Sequence, residues 1–140
     1  MQRLRDTDEA IVIRTDFSND TAWSAIQAGV KQEVERGTGD SSMMSIFDFV
    51  SDTDYAGATI DKLLALAPED GELTFFMVAD GLSMVSEEHA VLVVDTVDEP
   101  GRQFRAVPRA LFSIAANLSI ANMDFADFAD NVDDDGVLRR

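Results

Sequence analysis

The residues of this chain best suited to chemistry are aspartates at or just beyond apolar runs: Asp16, Asp48 or Asp52, Asp80 and Asp95. Carboxylates that follow strand ends in an open parallel sheet converge on the crevice beyond those ends, and several together bind Mg²⁺ or Ca²⁺ with water completing the shell. On that reading the protein is a small divalent-cation-dependent enzyme or sensor. The competing reading is structural. Asp16 and Asp80 then serve as turn acceptors and Asp95 opens a hairpin loop, each bonding nearby backbone N–H groups.

Other motifs carry less. A response-regulator receiver needs a Lys after the fifth strand, where this chain reads Arg105-Ala106-Val107-Pro108, and an acidic pair closing the first strand, which is missing. Asn131-Val132-Asp133-Asp134-Asp135-Gly136 matches the first half of a Ca²⁺ loop, but the chain reaches Arg140 before the bidentate acid of the twelfth position. His89 is the sole histidine, so any imidazole relay must use it; Ser86, Glu87 and Glu88 nearby lack nucleophile-elbow spacing. Gly37-Thr38-Gly39 follows a helix rather than a strand and reads as a connector. Zero cysteines exclude disulfides and thiolate chemistry.

Charge is the strongest compositional signal. With 27 Asp and Glu against 11 Lys and Arg, the formal charge is −16 over 140 residues. Between Lys62 and Arg102 stand nine acidic residues and no Lys or Arg, and between Arg109 and Arg139 six more carboxylates follow the same rule. Such a field repels nucleic acid and anionic membranes and attracts basic surfaces. The leading expectation is therefore a non-enzymatic, acidic protein-interaction module that binds a basic protein, in an inhibitory, immunity-type or regulatory role, with no cofactor. Asp124, Asp127 and Asp130 on a helix, continued by Asp133, Asp134 and Asp135, form the expected partner face, with Phe125 and Phe128 turned to the core. Arg102, Arg105 and Arg109 make the one compact basic group and are expected to balance local acids.

These side chains need a scaffold. Ala10–Thr15 is β-branched and reads as a buried strand; Ser18, Asn19 or Asp20 then caps a helix from about 21 to 36 with Trp23, Ile26, Val30 and Val34 on one face. Met43–Val50 reads as a second strand with Met44 and Ile46 inward, and Ile60, Leu63, Leu64 and Ala67 form a short helix stopped by Pro68. Leu73–Ala79 and Val91–Asp95 are near-continuous apolar runs, the mark of central strands covered on both faces. The turn at 97–102 leads back through Gln103–Val107, a hairpin whose Arg102 and Arg105 suit an exposed edge. From Leu111 to Val132 the apolar residues step by threes and fours, with weak helix formers near Ser119 to Asn122 dividing a helix pair.

The fold class is accordingly α/β: a single-layer, mainly parallel sheet of about five strands with an antiparallel hairpin at one end, flanked by helices and closed by a C-terminal helix pair. The length suits one domain over residues 1–140, with ends 1–8 and 133–140 expected to be mobile. No apolar run approaches the roughly 20 residues of a membrane span, so a cytoplasmic location is the expectation. Three segments, Arg14-Thr15-Asp16-Phe17-Ser18, Leu63-Leu64-Ala65-Leu66-Ala67-Pro68 and Asn117-Leu118-Ser119-Ile120-Ala121-Asn122-Met123-Asp124-Phe125, resemble an uncharacterised family of small acidic bacterial α/β proteins classed as a domain of unknown function. The resemblance covers most of the chain. It implies a bacterial single-domain protein and brings no assigned activity or residue roles.

Overall fold

The computed structural model describes residues 1–69 and 71–139. In chain order its elements are β1 (Ala10–Arg14), α1 (Asp20–Thr38), β2 (Phe47–Val50), α2 (Ile60–Leu66), β3 (Phe75–Ala79) and α3 (Gly81–Val85), then β4 (Val91–Asp95), β5 (Gln103–Ala106), α4 (Leu111–Ser119), α5 (Phe125–Ala129) and β6 (Val137–Leu138). The strands form one six-stranded sheet in the order β2-β1-β3-β4-β5-β6. Five of them share one direction, and β4 runs against both its neighbours.

Alternation of side chains across the pleat builds two cores. Val12, Met77, Val91, Val93 and Phe104 face α1, α4 and α5, while Ile11, Ile13, Phe76, Val78, Leu92 and Val94 face α2 and the N-terminal segment. Every residue of β1, β3 and β4 is buried, which is why these runs show no polar alternation. Helix α1 starts where the Asn19 side chain accepts the Ala22 N–H at 3.0 Å, and buries Trp23, Ile26, Val30 and Val34 on the first core. Gly39, at φ 90°, ends it by donating to the Glu35 carbonyl. Midway along the helix Gly29 meets Pro108, where an added Cβ would come within 2.8 Å of the proline Cβ, so α1 and the turn before α4 approach as closely as backbone allows.

Four features depart from the sequence reading. The hairpin β4-β5 is present, but β6 pairs beyond β5, so the hairpin lies inside a sheet of six strands instead of closing one of five. Arg105 consequently does not sit at an exposed edge. Ser42–Ile46 is a 3₁₀ turn, leaving β2 only four residues, because Asp40 accepts from the Ser42 N–H and hydroxyl and curls the chain. Helix α3 was not foreseen; its signal is the pair Asp80 and Ser83, whose side chains cap each other's backbone N–H.

The end segments, expected to be loose, make specific contacts. Leu4 is buried and donates its N–H to the Leu66 carbonyl at 3.0 Å, and the Tyr55 hydroxyl donates to the Gln2 carbonyl at 2.8 Å. Val137 and Leu138 are buried as β6; Arg140 lies outside the described residues. The C-terminal helices are two, as the weak formers imply. Between them Ala121 and Asn122 donate to the Leu118 and Asn117 carbonyls, a Schellman turn in which Ala121 holds φ 55°. Glycine is the residue suited to that conformation, so Ala121→Gly is expected to raise stability by about 0.5–1 kcal/mol despite its more flexible unfolded chain, read as a higher denaturant midpoint. An unchanged or lower midpoint would show that the alanine is unstrained.

Candidate functional site

Strand order reverses at β1, with β2 on one side and β3 on the other, and α1 and α2 lie on opposite faces. The crevice beyond the C-terminal ends of β1 and β3 is therefore the point where such folds accept ligands. Asp16, Asp52 and Asp80 stand at this end of the sheet. Asp48 does not: it lies within β2 opposite Ile11 and pairs with Arg5 at 3.5 Å. Asp95 is at the far end, because β4 runs antiparallel and Asp95 pairs with Phe75, the first residue of β3.

At the crevice each carboxylate already has work to do. Asp80 receives both terminal nitrogens of Arg105, at 3.0 and 2.7 Å, and caps α3; Arg105 also donates to the Ala90 carbonyl. Burial pushes the Asp80 carboxyl up, but the Arg105 guanidinium, with Ser83, outweighs it and the net direction is down. Asp16 accepts the Ser18 hydroxyl and N–H, which hold its carboxyl below the usual range. Asp52 accepts the Asp54 N–H. Beside them Arg14, buried at the end of β1, donates to Asp20 at 2.6 Å and to the Asp16 carbonyl, and its guanidinium lies 4.5 Å from the Phe17 ring centre. Among the described residues no three His, Asp or Glu side chains are placed to share a metal ion. Two arginine–carboxylate pairs, Arg14 with Asp20 and Arg105 with Asp80, stand at this end of the sheet. Asp16 and Asp80 accept nearby backbone N–H groups, and the sequence signal missed was Arg14, a charge ending the apolar run of β1, where it needs a partner.

The acidic C-terminal segment turns its carboxylates outward. Asp124, Asp127, Asp130, Asp133, Asp134 and Asp135 all face solvent, while Phe125 and Phe128 are buried in the first core. Asp124 and Asp127 cap α5, Asp130 pairs with Arg102, and Asp133 and Asp135 pair with Arg139, which also holds Glu88. The loop at 133–136 that matched half a Ca²⁺ site is a turn, closed by the Gly136 N–H to the Asp133 carbonyl at 2.8 Å. The basic group divides: Arg102 joins Glu99 and Asp130, Arg105 joins Asp80, and Arg109 is exposed on the turn before α4. His89 holds φ 52° and places Nδ1 2.9 Å from the Ser83 carbonyl, a structural contact at the end of α3.

Depressions open at the opposite end of the sheet from the crevice. One of about 150 Å³ is lined by Phe75, Asp95, Leu118, Met123 and Phe125 among others. A neighbour of about 160 Å³ shares Thr74, Phe75, Leu118 and Ala121 with it. None of the described helices is long and apolar enough to cross a membrane.

A comparison with curated proteins finds no match. A family model does match, over residues 9–140, and it covers the sheet, the first core, the second core apart from Leu4, and the acidic segment. The chain belongs to that family, the domain of unknown function DUF6924.

Proposed function

We propose that this protein is a non-enzymatic interaction module that docks a basic protein surface through the exposed carboxylates of residues 124–135, in an inhibitory, immunity-type or regulatory role. The observation that carries the reading is how the cations are used. Among the described residues seven of the ten Lys and Arg, namely Arg5, Arg14, Lys31, Arg36, Arg102, Arg105 and Arg139, pair with the chain's own carboxylates. The surplus negative charge therefore faces outward. Among the described residues no cation pairs with Asp124, Asp127 or Asp134. A surface of one sign steers an oppositely charged partner and is screened by salt.

The test is capture of basic proteins at low and at high salt with the natural chain and with Asp124→Asn/Asp127→Asn/Asp134→Asn. Asparagine keeps the acceptors that cap α5 while removing three charges. Association is expected to slow by about tenfold at low salt with no loss of melting temperature. Capture that is indifferent to both salt and substitution would refute the reading.

A further inference from the structure

The two depressions at the start of β3 and the end of β4 are one feature. Both use Thr74, Phe75, Leu118 and Ala121, so they join into a groove running along the end of the sheet. Its floor is apolar: Phe75, Leu118, Met123 and Phe125 belong to or pack on the first core, yet line open space here. Its rim is acidic. Asp8 and Glu72 stand on one stretch, Asp98 and Asp124 on the other, and among the described residues none of the four pairs with a cation. Glu9, also on the rim, is already paired with Arg5. Asp95, only 3% exposed, adds negative charge from below while its oxygens accept the Val97 and Glu99 N–H groups.

We propose that this groove is a docking site for a basic amphipathic segment of a partner protein, with apolar side chains on the floor and Lys or Arg side chains along the rim. This rests on the reading of the chain as a module for basic partners and names where such a partner seats. Each half of the groove, at about 150 and 160 Å³, is the size of a cavity that takes one benzene-sized group, so a leucine or phenylalanine side chain suits it. The rim carboxylates are spread along the groove and are not gathered as a metal cage requires, since no three acids among the described residues are so placed. A second copy of this chain brings the same −16 charge, and most of its described cations are held by its own carboxylates, so self-docking is opposed. Nucleic acid and anionic lipid are repelled for the same reason. An apolar floor beneath unpaired acids is complementary to one occupant chemistry: apolar and cationic in alternation.

The experiment titrates the ¹⁵N-labelled full chain, at low salt, with three probes: a synthetic peptide of Leu and Lys in helical amphipathic spacing, an oligo-lysine of equal charge, and spermine. The Leu-Lys peptide is expected to bind at least about tenfold more tightly than either other probe, because about 1.4 kcal/mol is less than the burial of one leucine gives, and to shift the amides of Thr74, Leu118, Ala121 and Met123. Thr74→Trp, which fills the groove from an exposed position without changing charge, and Met123→Gln, which makes its floor polar, should each remove that advantage and leave oligo-lysine binding intact. If Leu-Lys and oligo-lysine bind equally, or the shifts centre on Asp127 to Asp135, the groove is not the seat, though the acidic face still stands. Spermine binding as tightly as the Leu-Lys peptide makes it a polyamine site and overturns the proposal. If no probe binds, the acidic-module reading falls with it.

Discussion

Arg105→Met is expected to cost about 2–3 kcal/mol of stability near neutral pH, and that cost is expected to shrink as the solution is acidified. The side chains of Arg105 and Asp80 are 19% and 25% exposed, and removing the cation leaves a half-buried carboxylate without its counter-charge. In the natural protein the Asp80 carboxyl titrates below its unfolded value of about 3.9, so its stabilisation is present above that value and is lost as pH falls through the lower, folded one. Without Arg105 the effect of burial, the largest acting on this group, is opposed only by Ser83, and the folded value moves upward. The variant is then penalised at neutral pH and relieved by protonation. Denaturant unfolding of both proteins from about pH 7 down to about pH 3 should show the gap closing. Asp80→Asn/Arg105→Met should recover part of the loss, since it leaves no unpaired charge. A gap constant at all pH values would mean that Arg105 acts through packing alone.

Asp95→Ala should be the next most costly change, at about 2–3 kcal/mol. Its carboxylate, buried beneath the hairpin turn, accepts the Val97 N–H at 3.0 Å through one oxygen and the Glu99 N–H at 2.8 Å through the other. Alanine leaves both donors without their acceptor, each worth about 1–1.5 kcal/mol when the acceptor is charged and the turn can partly rehydrate. Asp95→Asn keeps one acceptor and should lose about half as much. Amide exchange reports the mechanism directly: Val97 and Glu99 should exchange faster in both variants than in the natural chain. Unaltered exchange at these two amides would place the role of Asp95 elsewhere.

The elements that were legible in the sequence are those with enough residues to display a period. Trp23, Ile26, Val30 and Val34 announce α1, and the unbroken runs Phe75–Ala79 and Val91–Asp95 announce strands covered on both faces. Two-residue β6 has no period to read, and five-residue α3 had only its capping pair. The candidate site was legible by residue type and illegible by place. Asp16 and Asp80 do share one end of the sheet, whereas Asp95 follows an equally apolar strand and lies at the other, because only pairing reveals that β4 is reversed. Arg105 looked like an edge charge until β6 took the edge and Asp80 took the guanidinium. The groove was invisible, since Asp8 and Thr74 lie far in the chain from each other and from Leu118 and Met123.

By itself the sequence determined the charge of this protein, the segments able to bury themselves and the class of architecture, because composition and side-chain periodicity are local properties that survive any arrangement of the chain. Strand direction, the pairing of each arginine with its carboxylate, and the meeting of an apolar floor with an acidic rim were decided only by the tertiary structure. Those features depend on distances between residues remote in sequence, and packing sets such distances where no local pattern can record them.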